Sequence, residues 1–107
     1  MSTDETTPDA AYERVTEGAN AGLPPVDFAT FILSLATSAF VSLGEVDGPE
    51  GESGIDLPMA RQTIDQIAML QEKTQGNLSG AEERLVNQVL FDLRMKFVDA
   101  AAANKKP

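Results

Sequence analysis

Two carboxylate pairs come nearest to acid–base machinery in this 107-residue chain. Asp65 and Glu72 stand seven apart and share one face of a helix. Glu82 and Glu83 are adjacent. One carboxyl group held protonated beside an ionised one can donate and accept protons without histidine. Arg61 and Arg94 are of the right type to hold an anion. Each has a simpler role, however. Glu82 and Glu83 suit a helix N-terminus, Asp65 and Glu72 are not set among apolar residues that would force burial, and each arginine can pair with a nearby surface carboxylate. Histidine and cysteine are both absent, which removes the usual general base, metal ligand and nucleophile. No glycine-rich phosphate loop or nucleophile elbow is present. The expectation is a protein that is not an enzyme, with no catalytic residue, metal site or cofactor. An enzyme would need two of Asp65, Glu72, Arg61 and Arg94 to converge in one pocket.

The charge distribution excludes further classes. The formal net charge is −9. Near the N-terminus Asp4, Glu5, Asp9, Glu13 and Glu17 stand against Arg14 alone, and Glu45, Asp47, Glu50, Glu52 and Asp56 crowd one short segment. Residues 57–107 are nearly balanced. No basic stripe exists to neutralise phosphates, so nucleic acid is not an expected partner. The acidic segment misses the calcium-loop spacing and reads as a solvated connector with glycine and proline turns.

The elements that must position these residues are helices. Residues 1–22 are polar and acidic and predict a solvated, disordered tail; a short helical stretch around Ala10–Glu17 is the alternative. Leu23-Pro24-Pro25-Val26 predicts an extended approach, with Asp27 as cap and Val26 folded back on the first turn as a hydrophobic staple. A first packed helix is predicted over 28–43, ending at Gly44. Its residues, FATFILSLATSAFVSL, are apolar on nearly every face, so it must be buried on several sides. Thr30, Ser34, Ser38 and Ser42 form a narrow seam, which is either a close helix–helix contact or the wetter side of a core helix. A second helix is predicted over 58–75, with Ala60, Ile64, Ile67 and Leu70 as its stripe, and a third over 80–100. The third opens with a Ser79–Glu82 capping box. Val86, Val89, Leu90, Leu93 and Phe97 form its main stripe, widened by Leu85, Phe91, Met95 and Val98. Residues 101–107 are predicted to fray. The expected architecture is therefore an all-α, three-helix domain over 23–100.

Length argues against a membrane span. Residues 28–43 rise roughly 24 Å as a helix, whereas a bilayer core requires about 30 Å and some 20 apolar residues. The flanks are acidic, and the polar side carries hydroxyls rather than the basic residues of a surface anchor.

The segments Pro24-Pro25-Val26-Asp27-Phe28, Ser34-Leu35 through Ser38-Ala39, Glu72-Lys73-Thr74 with Gly76-Asn77-Leu78, and Asp92-Leu93-Arg94 resemble a small bacterial family, domain of unknown function 1844. The resemblance runs from Leu23 to about Val98. It implies a short, mostly helical, cytoplasmic protein and brings no activity, cofactor or catalytic residue. Gly80 departs from the better helix former or proline expected there.

A domain this small barely offsets chain entropy with one core, and oligomerisation is the staple available to it. The chain is expected to be a cytoplasmic interaction module, with a homodimer favoured and built around the first packed helix. Phe28, Phe31, Ile32, Leu35, Ala39 and Phe40 are the candidate interface residues. The alternatives are a subunit that docks this helix on a larger protein partner, or a peripheral membrane protein. Leu35→Glu is expected to dissociate or unfold the protein. A soluble, folded variant with unchanged mass by light scattering would contradict that interface.

Overall fold

Local cap chemistry sets where each helix begins. The computed structural model describes residues 7–16, 19, 22–49, 51 and 54–104; among these there are four helices and no strand. The helices are α1 (Pro8–Val15), α2 (Phe28–Ser42), α3 (Leu57–Lys73) and α4 (Gly80–Asn104). Side chains of Thr7, Asp27 and Asp56 accept the backbone N–H groups of Ala10, Thr30 and Met59 at 3.1, 2.7 and 3.1 Å, each satisfying a donor that has no partner inside its helix. The hydrogen bonds from Thr30 hold the Asp27 carboxyl below its ordinary range. At α4 the capping box closes reciprocally: Glu82 Oε1 accepts the Ser79 N–H at 2.8 Å, and Ser79 Oγ accepts the Glu82 N–H at 3.1 Å. Gly80 is therefore no obstacle to starting this helix, since the cap beside it fixes the first turn.

Three differences from the sequence expectation have physical causes. The helix count is four, because part of the expected tail forms α1. Pro8 in the first turn, Asp9 near the positive end of the dipole and Arg14 in the last turn make this short segment helical by local means. None of its residues is buried, and it packs on no other helix. α4 runs on to Asn104, because Ala100–Ala103 are strong helix formers rather than a site of fraying. Val26 is 98% exposed, so no hydrophobic staple forms at α2. Of the expected C-terminal tail, residues 105–107 lie outside the described residues, as do 1–6, 17, 18, 20 and 21 of the acidic tail and 50, 52 and 53 of the acidic connector.

α2, α3 and α4 pack pairwise into an up-down-up bundle. Gln71 on α3 donates to Asn87 on α4 at 2.6 Å. Arg61 and Ile64, near the start of α3, line a groove with Phe97 and Val98, late in α4, so these two helices run antiparallel. Glu45, just past α2, meets Lys96 of α4 at 3.7 Å, which makes α2 and α4 parallel. The core is one cluster: Ile32, Ala36, Ala39 and Leu43 from α2 and its cap, Ala60, Ile64 and Ile67 from α3, and Val86, Val89, Leu90 and Leu93 from α4. Each set recurs at spacings of three and four residues, the period of one helix face. Burying each large aliphatic member contributes about 1.5–3 kcal/mol. Ala36, Ala39 and Ala60 leave room for the backbones to approach. Thr63 is the one buried polar residue among those described, and its hydroxyl donates to the Met59 carbonyl at 3.1 Å.

The turn after α2 is closed on both sides. The Gly44 N–H donates to the Val41 carbonyl at 3.0 Å and the Glu45 N–H to the Phe40 carbonyl at 3.0 Å, a Schellman arrangement that needs a left-handed residue at Gly44, whose φ is +77°. The Asp56 N–H then donates to the Ser42 carbonyl at 2.7 Å, returning the connector to the end of α2. A Cβ at Gly44 would sit 3.0 Å from Ile55 Cγ1, whereas at Gly76, with φ +85°, it would meet nothing within 4 Å. Gly76→Ala should therefore cost about 1 kcal/mol for backbone strain alone. Gly44→Ala should cost more, because Ile55 must also move. Urea unfolding of the two variants tests this ordering, and equal losses would show that Ile55 yields freely.

Candidate functional site

The residues able to do chemistry are spread over three surfaces. Glu82 is engaged in the α4 cap. Glu83 lies at the α3–α4 turn beside Gln75, Leu78 and Asn87. Glu72 is exposed near the end of α3. Arg61, Asp65 and Arg94 do converge: with Ile64, Phe97 and Val98 they line a shallow groove of about 220 Å³ between α3 and α4. Arg61 Nε lies 3.7 Å from Asp65 Oδ2, one helical turn away on α3, and both side chains are largely in water. Such a pair is screened and contributes under about 0.5 kcal/mol. What the groove offers is two guanidinium groups over a short apolar floor. A wider trough of about 540 Å³ follows the outer face of α3, lined by residues of that helix alone, Pro58 to Met69. Among the described residues no cluster of acidic side chains could hold a metal ion, and no helix is long and apolar enough to cross a membrane.

The six candidate interface residues of α2 divide by depth. Ile32 and Ala39 are fully buried and belong to the chain's own core. Phe28, Leu35 and Phe40 pack partly against that core. Phe31 is 48% exposed on one flank, with Leu33 equally exposed on the other. The cover α2 requires comes from the inner stripes of α3 and α4, so Ile32 and Ala39 have no surface to give a partner while the bundle is closed. The hydroxyl seam lies on the wetter side: Thr30, Ser34 and Ser38 are exposed, and Ser34 Oγ donates to the Phe31 carbonyl at 2.7 Å.

The largest uncovered apolar surface on one helix lies elsewhere. On α4, Phe91, Met95 and Val98 are 62%, 51% and 60% exposed, and Ala102 continues the line. They follow one another at spacings of four, three and four, while Val86, Leu90 and Leu93 on the opposite face are in the core. Sequence reasoning placed Phe91, Met95 and Val98 as a widening of the core stripe. The signal that separates them is the heptad step from 91 through 95 and 98 to 102, offset by half a turn from the inner stripe.

An all-helical domain with a closed three-helix core, an unpacked α1 and one two-faced long helix is the class these observations define. A family model described as Domain of unknown function (DUF1844) matches residues 25–99, and the chain belongs to that family. The match takes in α2, α3 and most of α4, and it leaves α1 outside. No curated protein and no solved structure matches the chain.

Ile32→Ala is expected to cost about 2–4 kcal/mol through the lost transfer energy and the cavity it leaves. Phe31→Ala, measured at dilution, should cost under about 1 kcal/mol. Denaturant unfolding compares them, and equal losses would show that Phe31 is packed as deeply as Ile32.

Proposed function

We propose that the protein is a cytoplasmic helical interaction module that works as a homodimer, with a structural or adaptor role rather than an enzymatic one. The observation that carries this reading is the outer face of α4, where an apolar stripe over three helical turns stays more than half exposed at Phe91, Met95 and Val98 among the described residues. Exposed stripes of this kind on small domains mark interaction sites. The core supports it from the other side: with only 107 residues, association adds burial that one small core lacks. The groove with Arg61, Asp65 and Arg94 borders the same stripe through Val98 and supplies polar contacts at its rim, as interfaces commonly do. A cytoplasmic setting follows the resemblance to a bacterial family of small helical proteins.

The face expected from the sequence moves with this reading. α2 is the spine of the protomer, and α4 presents the surface. Light scattering of the wild type across a concentration series should give twice the 11.4 kDa chain mass. Phe91→Glu should return the mass to that of a monomer with its helicity retained. A wild type that stays monomeric throughout would favour docking on a different protein. A dimer insensitive to Phe91→Glu would place the contact away from α4.

A further inference from the structure

Resting on the self-association proposed above, we infer that a second copy of this chain covers α4, and that the two α4 helices lie parallel and in register. The heptad lettering follows from the exposed stripe. Met95 and Ala102 take the a positions, and Phe91 and Val98 the d positions. Leu93 then falls at f, diametrically opposite, and it is fully buried in the protomer core. One helix thus carries two separate stripes, one already filled and one empty.

The charges beside the empty stripe choose the direction. Arg94 is the g-position residue on the α3 side, and Asp92 and Asp99 occupy e positions on the other flank. All but Asp92 are exposed, and Asp92 is half-buried. Neither Arg94 nor Asp99 is in a salt bridge among the described residues. In a parallel pair each g residue faces the e residue five places on in the other chain. Arg94 of each protomer then meets the partner's Asp99, and the two-fold axis makes this contact twice. In an antiparallel pair e faces e, which sets the Asp92–Asp99 flank of one protomer against the same flank of the other. Like charges across the seam oppose that arrangement.

Parallel pairing has a consequence for the rest of the molecule. Because α2 runs parallel to α4 within the protomer, the N-terminal ends of both α2 helices fall at one end of the dimer. Each α1 precedes its α2 in the chain and is therefore tethered at that end.

The chain has no native cysteine, so single-cysteine variants test this directly. Met95→Cys and Ala102→Cys change exposed positions one heptad apart. In a parallel, in-register dimer both residues lie beside their own copies, and both variants should form disulfide-linked dimers under mild oxidation. An antiparallel pair can bring only one of them to its copy, since the other is then displaced by about 20 Å, far beyond disulfide reach. Arg94→Glu should weaken dimerisation about tenfold, and adding Asp99→Lys should restore it. Crosslinking of one variant or neither, in a protein whose mass is dimeric, overturns the parallel arrangement and leaves self-association standing. A monomeric mass for the wild type overturns both.

Discussion

The bundle depends on the inner stripe of α2 seated in the cleft between α3 and α4. Ile32, Ala36, Ala39 and Leu43 line that stripe, and none has more than a few per cent of its surface in water. Their sizes matter as much as their polarity. Two alanines in the middle leave room for the neighbouring helices, while Ile32 and Leu43 fill the ends. Because this contact exists, the most apolar helix of the chain is satisfied largely by its own bundle. The same contact places the Arg61–Arg94 groove and the outer face of α4 where solvent, or another molecule, can reach them.

Two devices keep the stripe in register. One is the Schellman turn at Gly44, which satisfies the last carbonyls of α2, together with the Asp56–Ser42 hydrogen bond that brings the connector back to the end of α2. The other is the short α3–α4 turn, where the Ser79–Glu82 box and the Gln71–Asn87 hydrogen bond set one helix against the other. The Glu45–Lys96 pair adds little energy at the surface, but it joins the end of α2 to the second half of α4. α1 stands outside this arrangement. It is closed at both ends by local hydrogen bonds and buries no residue, so its helicity is a property of its own eight residues.

The two faces of α4 illustrate how a small domain divides its apolar residues. The inner face contributes to folding. The outer face has the same residue types, yet among the described residues they stay more than half exposed at Phe91, Met95 and Val98. Exposure of Phe91, Met95 and Val98 costs solubility, and the acidic charge of the rest of the chain offsets that cost. The outer face is lined up at heptad spacing, with Arg94 on one side and Asp92 and Asp99 on the other.

Helix type, order and approximate ends were legible from the sequence, because caps, prolines and glycines act through neighbouring backbone groups. Asp27, Ser79 and Gly44 each do what their position in the chain predicts. Family membership was also legible, from short segments around the same turns. The helical state of Pro8–Val15 was read only as the alternative, over Ala10–Glu17, since a compositional argument weighs burial and this helix has none. The allocation of faces was decided by tertiary structure alone. Periodicity shows that α2 is apolar on several sides and that α4 has more than one apolar stripe. Which stripe turns inward depends on where the neighbouring helices lie, and that is set by packing between residues far apart in the chain. For this reason Ile32 and Ala39, which look like interface from the sequence, are core, and Phe91, Met95 and Val98, which look like core, are surface.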